Sequence, residues 1–229
     1  MSINHAKELF YLLKGSKYGN NYVESLIKKL TNKRLKIVEL LNTGFYGAAY
    51  LLSDGTVLKA TTDVSEANSC AALIGKKNKR LVNIYQVGKL NKKADFPFEL
   101  KDIWLIRREY VSVMFSREEK KIVSFLTKLR NVYEVSDGKI LLRGEAGIKE
   151  MIRIWCIRDA PTTNIICVKA IRILAEILKE LNDKGITRYK DFHKNNLGIK
   201  KGKICVFDLG YDAKAPKVKM KRIEAKMKR

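Results

Sequence analysis

The sequence predicts an α+β protein with a β-rich front half and a helical back half. Short apolar runs bounded by turn residues follow one another between residues 34 and 111, which is typical of strands. From about residue 115 the apolar residues instead recur at helical spacing. The clearest helix covers residues 164–185 and is closed by Gly185. At 229 residues the chain is long enough to form one domain or two small ones.

The change of pattern divides the chain into four parts. They are a helical N-terminal extension over residues 1–33, a β-rich part over 34–110, a helical part over 111–213 and a basic tail over 214–229. The tail has sparse apolar residues at roughly helical spacing, so we expect a basic helix packed on a partner or on the helical part. A solvated charged end is the alternative.

Local signals place the elements of the front half. A turn signal at Ser53–Gly55 separates two apolar runs and predicts a hairpin. Asp63 and Glu66 have the spacing of a capping box and predict the start of a helix. The predicted elements are helices over 3–13, 22–30 and 63–75 and strands over 34–41, 48–52, 56–60, 81–90 and 102–111.

Amphipathic patterns place the elements of the back half. Ser116 and Glu119 resemble a second capping box, at the start of a helix with one apolar face. The helix over 164–185 has an apolar stripe formed by Cys167, Ala170, Ile171, Leu174, Ile177, Leu178 and Leu181. The other predicted elements are helices over 116–133 and 148–155 and two short strands over 196–199 and 203–210 around the turn Lys200–Lys203.

Composition narrows the classes of function. The apolar content of 46% is typical of a globular protein. The net charge of +23 favours anionic partners such as nucleic acid, an acidic protein surface, anionic lipid or nucleotide phosphates. The four cysteines are far apart, which favours reduced thiols over a zinc or redox motif. We find no signal peptide and no apolar run of about 20 residues, so we expect a cytoplasmic protein without a membrane span.

Two neighbouring segments have features of a phosphate site. Gly44 and Gly47 lie between two predicted strands, where backbone N–H groups can approach a phosphate closely, although a bare hairpin turn is the alternative. Lys59 lies on the next strand among apolar residues. An inward lysine needs an anionic partner, which would be a phosphate or Glu66 in the following helix. A solvated lysine is the alternative.

The segment over residues 186–210 combines acids and amides. Asp191 and Asn196 follow the long helix, and Asp208 ends an apolar strand. A carboxylate can position a hydroxyl and accept its proton, while an amide and a second carboxylate can hold magnesium on nucleotide phosphates. Turn formation is the alternative for Asp191 and Asn196. Residues 108–111 form either a hinge that offers backbone groups to adenine or a simple strand end.

The order of these signals resembles the protein-kinase-like superfamily from about residue 35 to 213. A glycine loop, a strand lysine, a helix glutamate, a hinge, a long helix, DxxxxN and DxG follow one another as they do in that fold. The resemblance implies a minimal two-lobed fold with a β-rich N-lobe over 34–110, a reduced C-lobe over 111–213 and a truncated C-terminus. The DxHxxN motif, the small size and the basic tail are similar to the early protein kinases of podoviruses, which phosphorylate host proteins.

The resemblance assigns a role to each matching position. The nucleotide contacts it implies are Gly44, Tyr46, Gly47, Ala49, Lys59, Glu109 and Val111. The catalytic residues it implies are Asp191, Lys59 and Glu66, and the magnesium ligands are Asn196 and Asp208. Asn42 replaces the first glycine of the loop, Tyr189 replaces the histidine of HRD, and DLG replaces DFG. His193 is expected to order its loop.

The resemblance implies an ATP- and magnesium-dependent Ser/Thr protein kinase, which would act in the host cytoplasm if the protein is viral. We expect an acidic protein substrate or a nucleic-acid-associated complex, and direct contact with nucleic acid through the basic surface. One alternative is a small-molecule phosphotransferase of the aminoglycoside-kinase type, which DxHxxN also fits. A pseudokinase or nucleic-acid-binding module is the other.

Overall fold

The computed structural model describes residues 19–43, 46–91, 102–132, 138–156, 161–187, 189, 192–210, 214–216 and 220–224. The predicted helix over residues 3–13 lies outside them. The described residues divide into two compact units. The first unit contains the residues up to Lys76, Asn83–Tyr110 and those from Pro216 onward, and the second contains Lys77–Val82 and Val111–Ala215.

The architecture is α+β, as the sequence predicts. The described helices are α1 (Gly19–Thr31), α2 (Val64–Ala72), α3 (Arg117–Val132), α4 (Gly138–Leu141), α5 (Glu145–Cys156) and α6 (Pro161–Asp183). The described strands are β1 (Ile37–Thr43), β2 (Gly47–Leu52), β3 (Val57–Thr61), β4 (Ile84–Asn91), β5 (Ile103–Arg108), β6 (Leu197–Lys200), β7 (Lys203–Val206) and β8 (Lys221–Glu224). Apart from the tail, each predicted helix and strand within the described residues is present, with its ends shifted by a few residues.

The first unit is built on a six-stranded sheet with the strand order β1-β2-β3-β5-β4-β8. All pairs among β1 to β5 are antiparallel. The predicted turn joins β2 to β3, and Gly55 in this turn has a φ of +75°, which glycine adopts without strain. The register of the hairpin places Ala49 opposite Lys59. Two of the predicted nucleotide-binding positions therefore face each other across this pair of strands.

Helix α1 supplies part of the core of the first unit. Its residues Leu26, Ile27 and Leu30 are buried in one cluster with apolar residues of the sheet. Each such side chain stabilises the fold by about 1.5–3 kcal/mol when it is buried. Gln86 of β4 donates its side-chain amide to the carbonyl of Leu30 over 3.0 Å. Tyr50 of β2 lies in the same cluster, and burial raises the pKa of its hydroxyl to about 12.

The basic tail does not form the expected helix over residues 221–224. These residues form β8, which pairs parallel with β4 so that Gly88 lies opposite Lys221 and Leu90 opposite Ile223. The physical reason lies in β4, because a strand with an unpaired edge presents a row of N–H and C=O groups that favour pairing with another segment. Deleting the tail would therefore expose the edge of β4 as well as remove positive charge.

The second unit contains helices α3 to α6. All residues of the predicted stripe on α6 are buried. Helix α3 begins with the predicted capping box, since the N–H of Ser116 donates to the Glu119 carboxylate over 2.7 Å and the N–H of Glu119 donates to the Ser116 hydroxyl over 3.2 Å. Exposed ion pairs join α6 to its neighbours, with Lys169 bonded to Glu118 of α3. None of the helices in the described ranges is both long enough and apolar enough to cross a membrane.

A short hairpin, β6–β7, completes the second unit. Its two-residue turn consists of Lys201 and Gly202, whose φ angles are 47° and 72°. Positive φ at both positions is the requirement of the turn type that best fits a tight hairpin. The open end of the hairpin, opposite this turn, leads to Asn196 on one strand and to Asp208 on the other. The two predicted magnesium ligands thus flank the same end of one hairpin.

Candidate functional site

Lys59 and Glu66 form an ion pair that is shielded from solvent. Nζ of Lys59 lies 2.6 Å from Oε1 of Glu66, and the two side chains are 13% and 3% exposed. Lys59 belongs to β3, an interior strand of the sheet, and Glu66 belongs to the first turn of α2. The structure therefore brings together the strand lysine and the helix glutamate that the sequence pattern singled out.

Asp63 fixes the start of the helix that carries Glu66. Its carboxylate accepts hydrogen bonds from the N–H groups of Ser65 over 2.7 Å and of Glu66 over 3.2 Å. The N–H of Asp63, which a capping box would pair with Glu66, donates to the Thr61 hydroxyl. The carboxylate of Glu66 contacts Lys59. The predicted N-cap is confirmed, and the carboxylate of Glu66 pairs with the ammonium group of Lys59.

The glycine loop is only partly described. Gly44 lies outside the described residues, and the side chain of Tyr46 is 43% exposed. A Cβ on Gly47 would lie 2.1 Å from the carbonyl oxygen of Ala60, so β2 and β3 approach too closely for any side chain at this position. Thr62 donates its N–H to the carbonyl of Tyr46 over 2.8 Å. Close strand packing therefore accounts for Gly47 without a bound phosphate.

The predicted hinge lies where the chain passes from one unit to the other, between Tyr110 and Val111. The N–H of Glu109 donates to the carbonyl of Asn83 over 2.9 Å, and its carboxylate accepts from the N–H of Asn83 over 3.3 Å. Because the N–H of Glu109 is used within the first unit, a contact of this residue with adenine would have to come from its carbonyl. Val111 is buried in the second unit, where it packs against Gly198.

Asn196 and Asp208 are held by backbone bonds at the open end of the β6–β7 hairpin. Asn196 is 4% exposed, and its carbonyl accepts from the N–H of Phe207 over 3.0 Å, which extends the pairing of the hairpin by one position. The N–H of Asn196 donates to the carbonyl of His193 over 2.9 Å. His193 thereby orders this turn through its backbone. The hairpin register brings Asn196 next to the residue that precedes Asp208.

Two aromatic residues near the predicted catalytic aspartate in the sequence are buried. Asp191 itself lies outside the described residues. Tyr189 and Phe192 are each 1% exposed and form an edge-to-face pair with ring centroids 4.8 Å apart. The Tyr189 hydroxyl donates to the backbone carbonyl of Asp208 over 2.6 Å. Tyr189, two residues before Asp191 in the sequence, is therefore bonded to the backbone of a predicted magnesium ligand.

Sequence reasoning treated Tyr189 only as a replacement for histidine and missed this bond. The available signal was the tyrosine itself, because a buried tyrosine usually finds a hydrogen-bond partner for its hydroxyl. The partner is a backbone carbonyl, and a sequence pattern does not reveal which carbonyl will be near. The identity of the bond therefore required the three-dimensional structure.

The contribution of the Tyr189–Asp208 bond to the stability of the fold can be tested by substitution. We expect Tyr189→Phe to lower the free energy of unfolding by about 0.5–1.5 kcal/mol, because the ring packing stays and one hydrogen bond is lost. The matched control is Tyr85→Phe, which changes the same atom on a tyrosine that is 42% exposed and should have little effect. Urea denaturation measures both. Equal losses in the two variants would show that the bond does not stabilise the fold.

No protein-family model matches the chain, and no curated protein matches it. Within the described ranges, no group of three or more His, Cys, Asp or Glu side chains is arranged to hold a metal ion. The predicted pair of Asn196 and Asp208 is a different kind of donor set, since it combines one amide with one carboxylate. The assignment of the candidate site therefore rests on the residues of this chain and their geometry.

Proposed function

We propose that this chain is an ATP- and magnesium-dependent phosphotransferase that transfers the γ-phosphate of ATP to a serine or threonine hydroxyl of a protein. The observation that carries the proposal is the shielded ion pair between Lys59 and Glu66. It joins the same strand and helix that carry the phosphate-binding lysine and its partner in the resemblance drawn from the sequence. The order of Asp191, Asn196 and Asp208 further along the chain supports it.

A role in binding explains the ion pair better than a role in stability. Removing two charges from water costs several kcal/mol per ion, so a shielded ion pair is often no more stabilising than two apolar residues. An ammonium group held in place by a carboxylate is, however, well suited to contact the phosphates of a nucleotide. We assign Lys59 to the phosphates and Glu66 to holding Lys59 in position.

The donor set at the open end of the β6–β7 hairpin fits magnesium. Asn196 and Asp208 offer an amide oxygen and a carboxylate oxygen, and Mg²⁺ prefers hard oxygen ligands supplied by one or two carboxylates together with substrate phosphates. The backbone of both residues is fixed by hydrogen bonds, so little ordering is needed on binding. When bound, the ion would neutralise charge on the transferring phosphate.

Asp191 would orient the acceptor hydroxyl and accept its proton. A carboxylate within hydrogen-bond reach of a hydroxyl can do both, and positioning provides a large share of catalysis in phosphoryl transfer. Tyr189 and Phe192, which precede and follow Asp191 in the sequence, are buried and packed edge to face. The proposal places the reaction in the cytoplasm, of the host if the protein is viral, where ATP is supplied.

A transfer assay tests the proposal directly. The purified protein would be incubated with γ-labelled ATP, magnesium and a cell extract, with an Asp208→Asn preparation as the matched control. We expect label on protein bands with the unchanged chain and not with the variant. Label on a small molecule would assign the chain to small-molecule phosphotransferases. Absence of any transfer, or equal transfer by the variant, would overturn the proposal.

A further inference from the structure

Two basic segments of the second unit lie side by side at the turn of the β6–β7 hairpin. The first is the loop over residues 77–80, and the second is the turn over residues 200–203. The segment around Leu81 runs parallel to β7 and pairs with Val206, so the loop that precedes it lies toward the turn. Four lysines on these segments form what we call the turn-end patch: Lys77, Lys79, Lys201 and Lys203.

Buried contacts fix the two segments to each other. The Nζ of Lys200 is buried and donates to the carbonyls of Asn78 over 2.8 Å and Leu81 over 3.1 Å. Arg80 donates from its guanidinium to the carbonyl of Ile204 over 3.1 Å. The side chains of Lys200 and Arg80 thus link the backbones of the two segments. The turn-end patch is consequently displayed on a fixed framework.

The positive charges of the four lysines in the turn-end patch are exposed to solvent. All four side chains are exposed, and within the described part of the chain none of them forms an ion pair. Two acids of α6 contact the first segment: Glu176 binds the Arg80 side chain, and Glu180 accepts from the backbone N–H groups of Lys79 and Arg80. The patch therefore presents a net positive field.

The turn-end patch is distinct from the proposed magnesium site. The two lie at opposite ends of the β6–β7 hairpin, and a strand of four residues spans roughly 14 Å at about 3.4 Å per residue. At about 0.1 M salt, exposed charges are largely screened beyond roughly 10 Å. The patch is therefore poorly placed to hold a nucleotide whose phosphates are bound near Asp208.

We propose that the turn-end patch binds the phosphate backbone of nucleic acid. The two segments contain only lysine, arginine, asparagine and glycine, so they offer no exposed apolar or aromatic side chain. Protein–protein interfaces are depleted of lysine and enriched in aromatic residues at their centre, and membrane-surface segments insert apolar residues. Interfaces with nucleic acid are polar and strongly positive. The composition of the turn-end patch matches that of an interface with nucleic acid.

The proposal goes beyond phosphotransfer, and its test needs no ATP. Binding of a short duplex DNA would be measured by fluorescence anisotropy over a series of salt concentrations for two variants of equal charge. The patch variant replaces the four lysines of the turn-end patch by glutamine. The control variant replaces four exposed lysines on the helices of the same unit by glutamine: Lys120, Lys121, Lys128 and Lys149.

We expect the patch variant, and not the control variant, to lose affinity for DNA. Each phosphate contact contributes about 0.9 to the slope of log affinity against log salt. With one contact for each of the four lysines, the slope should fall by about 3.6, and affinity at about 0.1 M salt should fall at least tenfold. The control variant should bind nearly as the unchanged chain does. Replacing the patch lysines by arginine should preserve binding, because positive charge is retained.

Three outcomes would overturn the proposal. Equal losses in the patch and control variants would mean that binding reflects overall charge rather than this surface. Unchanged DNA binding by the patch variant would exclude the surface outright. Loss of binding to polyglutamate or to phosphatidylserine vesicles, with DNA binding unaffected, would assign the patch to an acidic protein or to a membrane. Thermal melting of each variant would verify that the fold is retained.

Discussion

Asp208→Asn is expected to lower kcat by at least about 10²-fold, which is the scale on which single charge-stabilising groups act in catalysis. The substitution keeps the size of the side chain and removes the negative charge that we assign to magnesium. The fold should survive, because Tyr189 bonds the backbone carbonyl of Asp208, which the substitution does not alter. Steady-state phosphotransfer at several magnesium concentrations, together with thermal melting, measures both effects.

The control for this prediction is Asp183→Asn in the same unit. Asp183 makes an exposed ion pair with Lys179 at the end of α6, so its charge can be removed without affecting the proposed site. We expect nearly full activity in this variant, and a loss comparable to that of Asp208→Asn in Asp191→Asn. Near-normal turnover in a folded Asp208→Asn protein would contradict the assignment of magnesium to this residue.

Lys59→Ala is expected to abolish nucleotide use and also to destabilise the first unit. Removing Lys59 leaves the carboxylate of Glu66 shielded and without its ammonium partner, and breaking a buried pair costs about 3–5 kcal/mol. Because Lys59 is 13% exposed, we expect a value near the lower end of that range. Activity must therefore be compared under conditions in which the variant is folded.

A double-variant cycle separates the two effects. Lys59→Met combined with Glu66→Leu replaces the ion pair by two apolar side chains, which should restore most of the stability lost in the single variants. Activity should not return, because no ammonium group remains for the phosphates. Nucleotide binding by calorimetry and unfolding by urea provide the two readouts.

The exposed pair Lys89–Asp102 serves as a matched control for the cycle. Its side chains are 38% and 45% exposed, and exposed pairs contribute about 0–1 kcal/mol. Removing both partners should change neither stability nor activity appreciably. If losses at Lys59 and Glu66 were additive in the cycle, Glu66 would be the wrong partner. Activity in the doubly apolar variant would exclude Lys59 from phosphate binding.

Much of the fold could be predicted because its signals are local. The capping residues Asp63 and Ser116 marked two helix starts, and the apolar stripe on α6 identified its buried face. Glu66 could be paired with Lys59 because an inward lysine requires an anion and Glu66 is the acid in the helical segment that follows. These inferences need only the chemistry of neighbouring residues.

The remaining features depend on contacts between distant parts of the chain. The position of β8 is determined by the edge of β4, and nothing in the local sequence of the tail indicates that partner. The bond between Glu109 and Asn83 and the packing of Gly47 against Ala60 are likewise non-local. The sequence leaves open both a phosphate-binding role and a hairpin turn for Gly47, because a sequence cannot show how closely two strands approach.

The pairing of β8 with β4 has a consequence for the biosynthesis of the protein. Lys221 pairs with Gly88, and most of the second unit, Val111–Ala215, is synthesised between them. While the chain is still emerging from the ribosome, β4 is an open edge that can pair with a strand of another molecule. Closing so long a loop is slow compared with forming the hairpins of the same sheet. Although synthesis of the first unit begins before that of the second, we therefore expect the first unit to complete its folding later.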